Sequence, residues 1–165
     1  LHLHLSPDKQ YLVPPPGAVL DALITRRETL AAAALTTAAG AALGLLAAVV
    51  VGYALALMLA VSKLSRAALY PYLMVLQMTP VIVFAPILVL VIDDSLIRVS
   101  IITFLICFFP LVVNTTQGLL SVDPAWLDLF RLSKSSRTDE FIRLRIPAAQ
   151  PYFFTGLRIA ATLAP

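Results

Sequence analysis

The chain has 165 residues, of which 60% are hydrophobic and 13% charged, and its mean hydropathy is +0.92. That is about half the charged fraction of a soluble domain, so a water-soluble globular fold is excluded and an integral membrane protein is indicated. The net charge of +3 sits in loops, which fits a topology signal and not a nucleic-acid surface. A single cysteine, Cys107 inside an apolar run, excludes a disulfide or metal framework within the chain.

Residues 1–28 are mixed in character, with alternating Leu and His and then Pro14-Pro15-Pro16-Gly17. His2 and His4 have no further ligand-type neighbours, so no metal site is expected. Ala18 to Thr29 reads as a short amphipathic helix on the membrane surface. Thr29 to Val61 follows, 33 residues without a charge. At about 1.5 Å per residue it is roughly 50 Å long, more than a 30 Å hydrocarbon core needs. Small residues recur in it every fourth position: Thr36, Gly40, Gly44, Ala48, Gly52, Ala56 and Ala60. Such a row lets a second helix approach closely.

Ser62 to Arg66 reads as a loop. Leu69 to Ile92 is the second expected span, interrupted by Pro71, Pro80 and Pro86, with Gln77 and Thr79 beside the break. Prolines there need neighbours to satisfy freed carbonyls. Asp93 and Asp94 make the next turn. Val99 to Leu120 is the third span, kinked at Pro110 and polar near its end at Asn114, Thr115, Thr116 and Gln117. Gln77, Thr79, Asn114 and Thr115 either line a path through the bundle or make interhelical hydrogen bonds. A fourth span starts at Ala148 and runs to the last residue.

Ser121 to Pro147 is the long polar stretch between these spans. Asp123 is placed to N-cap a helix with Pro124 at its first position. Trp126, Leu127, Leu129, Phe130 and Leu132, with Asp128 and Arg131 between them, make about three amphipathic turns. Ser135 and Ser136 break the helix, and Ser136 with Asp139 resembles a capping box. A second piece, Arg137 to Arg145, carries Phe141, Ile142 and Leu144, and Pro147 is expected to stop or kink it. From the residues alone, this is either a cover for its own bundle or a docking surface for a soluble partner.

This stretch resembles the EAA loop of type I ABC importer permeases, whose pattern is Glu-Ala-Ala, a Gly, and about nine residues later Ile-x-Leu-Pro. In the nitrate, sulfonate and taurine branch the text is close to VDP-x-L-x-E-x-A-R, then G-A-S, then LPAA-x-P-Y and TGLRIA. Here the chain has Val122-Asp123-Pro124, Asp128-Leu129-Phe130-Arg131, Ser136, Phe141, and IPAAQPYFFTGLRIA from Ile146 to Ala160. FFPLVVNTTQGL from Phe108 and TPVIVFAPILVL from Thr79 are similar to the same branch. Asp128 replaces the Glu, Leu129 and Phe130 replace the two Ala, and Lys134 stands where that family has its Gly. A residue with a side chain is disfavoured at the positive φ such a turn uses.

The resemblance implies an all-α integral membrane fold, a MetI-like multi-span bundle with a cytoplasmic coupling helix, cut short at both ends. Residues 1–28 would be an extracytoplasmic segment. Residues 29–165 would be the transmembrane domain, with spans at about 29–61, 69–92, 99–120 and 148–165 and a coupling loop at 121–147. Asp128, Leu129, Phe130, Arg131, Lys134, Phe141, Ile146 and Pro147 would dock an ATPase, while Gly40, Gly44, Ala48 and Gly52 pack helices. The implied partners are ABC ATPase subunits, a second permease copy as a homodimer, an extracytoplasmic solute-binding protein and membrane lipid. No cofactor, metal or nucleic acid is expected.

No GxxxxGK[ST] phosphate loop occurs, so ATP hydrolysis would belong to a separate subunit and the chain itself would not be an enzyme. The alternating loops give seven basic residues on the side of the 121–147 stretch and four on the other, which puts that stretch in the cytoplasm and the protein in the inner membrane. The three complete spans hold no Asp, Glu, Lys, Arg or His, which disfavours an ion-coupled secondary transporter. No nucleophile–base or paired-carboxylate constellation supports a membrane enzyme. The solute is expected to be nitrate, sulfonate, taurine or similar, with a thiamine precursor or riboflavin as the alternative.

Overall fold

In the computed structural model, residues 15–78 and 81–164 are described, so His2, His4, Thr79 and Pro80 lie outside the described residues. All regular elements there are helical. They run α1 (Pro16–Thr25), α2 (Arg27–Val61), α3 (Lys63–Met78), a 3₁₀ turn (Val81–Phe84), α4 (Ala85–Val91) and α5 (Ser95–Leu120). After them come α6 (Pro124–Leu132), α7 (Arg137–Glu140), a π turn (Phe141–Arg145) and α8 (Ile146–Leu163). Among these, α2 and α5 are long and apolar enough to cross a membrane.

The chain divides into two compact units at Thr36–Thr37, eight residues beyond the boundary expected at 28. The first unit contains α1, which has no buried residue, and the opening turns of α2. The second unit holds the rest of α2 and everything after it.

In the second unit the row of small residues on α2 lies against α5. Gly40, Gly44, Ala48, Gly52 and Ala56 are all buried. A Cβ on Gly40 would stand 2.9 Å from Val99, and one on Gly44 would collide with the Ser100 carbonyl and lie 2.7 Å from Thr103 Cβ. One on Gly52 would meet Leu111 and Val112 at 3.5 Å, which is ordinary contact. Contacts therefore ascend both helices together, so α2 and α5 run parallel. The segment between them, residues 62–94, must carry the chain back the length of the bundle.

That return is made in pieces. Ser62 caps α3, accepting from the Ser65 amide at 3.1 Å, so the expected loop shrinks to one residue and the helix starts at Lys63. Pro71 is accommodated inside α3, whereas Pro86 stands in the first turn of the short helix α4, which follows the 3₁₀ turn. Similarly, α5 starts at Ser95 and not Val99, because Asp94 accepts from the Ile97 amide at 2.9 Å and caps it.

The opposite direction of packing joins α5 to α8. Gly118 abuts Ala149 and Tyr152, Gly156 abuts Pro110 and Asn114, and the Cys107 thiol donates to the Ala160 carbonyl at 3.3 Å. Position rises on α5 as it falls on α8, so these two are antiparallel. A glycine on each helix facing the other's backbone brings the axes close. The ends of α2 and α5 and the start of α8 thus gather at one end of the unit, and residues 121–145 sit there.

Candidate functional site

The 121–145 segment is a helical elbow with two very different halves. Asp123 accepts from the Ala125 amide at 2.8 Å and starts α6 with Pro124 in the first turn. None of the nine residues of α6 is buried. Trp126, Leu129 and Leu132 are 56%, 50% and 82% exposed, and their spacing of three puts them on one stripe. Phe130 and Leu127 are half-buried. Asp128 pairs with Arg131 at 3.0 Å, both well exposed, so the pair fixes side-chain placement more than stability.

Lys134 ends α6 at φ 52°, a left-handed conformation. Its amide donates to the Arg131 carbonyl at 3.0 Å, and the Ser135 amide donates to the Phe130 carbonyl at 3.1 Å. These are the two bonds of a Schellman motif, with lysine at the position that favours glycine. The turn expected from the glycine of the EAA pattern is made here without one.

Ser136 then starts α7. Its hydroxyl accepts from the Asp139 amide at 3.0 Å and donates to the Asp139 carboxylate at 2.6 Å. That hydroxyl, with help from Arg143, holds the Asp139 carboxyl below the ordinary carboxylate range. A stop or kink is expected at Pro147; the chain does not stop there but stays helical from Arg137 to Leu163. The reason is the π turn: the Ile146 amide reaches back five residues to the Phe141 carbonyl. The wider turn makes room for the Pro147 ring in the first turn of α8.

The second half is anchored. Phe141 and Ile146 are half-buried and pack against Ala56, Leu119 and Ala149, which holds the elbow to the bundle. Glu140 and Arg145 form a largely buried pair, about 20% exposed, at 2.7 Å, and Arg145 Nη1 also donates to the Leu119 carbonyl at 3.1 Å. Leu119 is at the C-terminal end of α5, where carbonyls lack helical partners and a cation is favoured. Sequence reasoning missed Glu140 and Arg145, since five-residue spacing pairs side chains only across a π turn.

The residues expected on a path are dispersed. Thr115 is fully buried and its hydroxyl has no partner among the described residues, so it does not line an opening. The Asn114 amide donates to the carbonyl of Pro110 on its own helix at 2.8 Å, not across helices. Gln77 is exposed near the end of α3, and Thr79 lies outside the described residues.

Residues 40–165 match the model of a family described as "binding-protein-dependent transport system inner membrane component". The chain belongs to that family. It is also 36% identical over 155 residues to a probable ABC transporter permease protein of Haemophilus influenzae, covering 94% of this chain and 63% of that one. It is 37% identical over 155 residues to the formylaminopyrimidine transport permease protein ThiX of Halalkalibacterium halodurans, covering 93% and 62%. A third relative, the nitrate import permease protein NrtB of Leptolyngbya laminosa, is 34% identical over 123 residues, 74% of this chain and 44% of that protein. The chain thus spans about 60% of the length of the first two relatives. With this family the helical membrane architecture is that of a type I ABC permease, and the elbow falls inside the matched region.

Proposed function

We propose that this chain is the membrane-spanning part of an ATP-driven importer, and that the elbow receives force from a separate ATPase subunit in the cytoplasm. The observation that carries the reading is the free stripe of Trp126, Leu129 and Leu132 on a helix with no buried residue, held at the end of the bundle by an anchored second half. Large apolar and aromatic side chains left uncovered on a short rigid helix are typical anchors at a partner surface. The excess of basic residues in this stretch and at Lys63 and Arg66 supports its cytoplasmic side.

On this reading the working assembly contains two permease copies, two ATPases and an extracytoplasmic solute-binding protein. ATP-driven closure of the ATPases pulls on α6, and the bundle rocks between outward and inward states. The solute is small: nitrate, a sulfonate or taurine. The extent of the match to a formylaminopyrimidine permease favours a thiamine precursor as the second reading. Leu129→Asp in the full-length protein tests the docking role. Expected is loss of ATPase co-purification with the protein still in the membrane. A normal yield of ATPase with that variant would refute it.

A further inference from the structure

Between the α2–α3 junction and the elbow lies a cleft of about 760 Å³. Lys63, Arg66, Arg131, Arg137 and Arg145 line it, against one carboxylate, Glu140. That is five cations to one anion in a single concavity. Three of the five already have partners. Arg145 holds Glu140 and the Leu119 carbonyl, Arg131 holds Asp128, and Arg66 leans on the Leu59 carbonyl at 3.4 Å. The side chains of Lys63 and Arg137 have no partner among the described residues.

The cleft's other wall is apolar: Val61, Leu120, Phe141 and Ile142. Val61 is the last residue of α2 and Leu120 the last of α5, so the cleft opens where the two long apolar helices stop. A cationic floor beside an apolar wall, at the depth where hydrocarbon gives way to water, matches an amphiphile with a charged head.

We propose that this cleft binds the phosphate headgroup of an anionic phospholipid, with Lys63 and Arg137 as its principal contacts and the apolar wall beside its acyl chains. The bound lipid would brace the elbow against the end of α2. This inference needs only that the chain is membrane-embedded, which its family membership gives, and not that α6 docks an ATPase.

The test uses the full-length protein in detergent, titrated with phosphatidylglycerol, phosphatidylcholine or inorganic phosphate, and reads thermal unfolding and lipid adducts by native mass spectrometry. Phosphatidylglycerol should raise the unfolding temperature and appear as an adduct, with phosphatidylcholine far weaker. Each surface cation contributes about a five-fold gain, so Lys63→Gln with Arg137→Gln should raise the half-saturating lipid concentration roughly 25-fold. The charge-preserving pair, Lys63→Arg with Arg137→Lys, should keep the response, and an unchanged unfolding temperature of the glutamine pair without lipid shows that its loss is not misfolding. Equal response to phosphatidylcholine, or the same shift from inorganic phosphate alone, would overturn the proposal. ATPase co-purification is scored on the same variants: loss of lipid response with the ATPase retained is expected here, whereas failure of Leu129→Asp to release the ATPase bears only on docking.

Discussion

Replacing Lys134 by glycine should tighten the elbow. Lys134 is the only residue other than glycine with positive φ among the described residues, at 52°. A side chain in that conformation costs about 1–2 kcal/mol. Glycine removes that cost but leaves the unfolded chain freer, so the net gain is about 1 kcal/mol. The gain falls on the two bonds that close the turn, from the amides of residues 134 and 135 to the carbonyls of Arg131 and Phe130. In hydrogen exchange reporting local opening, about 1 kcal/mol slows those amides roughly five-fold. Lys134→Ala is the control: it removes the charge and the long side chain but keeps the Cβ at positive φ, so its exchange should stay near that of the parent. Equal slowing in the alanine and glycine variants would refute the reasoning, because the cost would then lie in the lysine side chain and not in the backbone.

Alanine at Gly44 should destabilise, whereas alanine at Gly52 should not. At Gly44 the Cβ is driven into Ser100 and Thr103, a misfit of about 1–3 kcal/mol that lowers the unfolding temperature in detergent. At Gly52 it finds 3.5 Å of room, so the variant should match or slightly exceed the parent. Arg145→Lys keeps the charge but cannot span both Glu140 and the Leu119 carbonyl, and should cost about 1–2 kcal/mol by the same unfolding measurement. Asp139 contributes to the α7 cap only while ionised. Because its folded pKa lies below the ordinary 3.8, that contribution is complete above 3.8 and is lost as pH falls through the lowered value. Amide protection at Asp139 should therefore drop in that window, and Asp139→Asn should flatten the drop.

Features set by neighbours in the chain could be read from sequence, and those set by distant partners could not. Asp123 and Ser136 cap because a side-chain oxygen needs only an amide two or three residues on, and both caps appear as the spacing predicts. Positive φ at Lys134 follows from a turn that the EAA pattern places there. The four-residue row on α2 was legible as a packing face, but not its register on α5, since Gly44 and Thr103 meet across 59 positions of chain. The docking role of Phe141 is what the EAA resemblance implies, and a motif does not show which neighbours a side chain packs against. The packing of Phe141 against Ala56 depends on where α2 ends, which no local pattern encodes. Pro147 shows the same limit. Proline disrupts an α-helix, but a π turn ahead of it removes the clash, and composition does not announce a π turn.

Three arginines share a task that a charge count conceals. Arg66 reaches the Leu59 carbonyl at the end of α2, Arg98 the Ile92 carbonyl after α4, and Arg145 the Leu119 carbonyl at the end of α5. Helix ends near hydrocarbon have little water to satisfy their last carbonyls, so a guanidinium there offsets both the missing hydrogen bonds and the dipole. Arg66 and Arg98 bridge six or seven positions and close their own corners, but Arg145 bridges 26 and ties the elbow to α5. Its Glu140 partner sits at the end of α7, and the π turn leads straight into α8, which meets α5 through Gly118 and Gly156. The second half of the elbow, the end of α5 and the start of α8 are thus cross-braced as one body. In contrast, α6 joins that body through the strained turn at Lys134. If α6 is where force enters, Lys134 is the hinge it crosses and Arg145 the post that passes it to two helices at once.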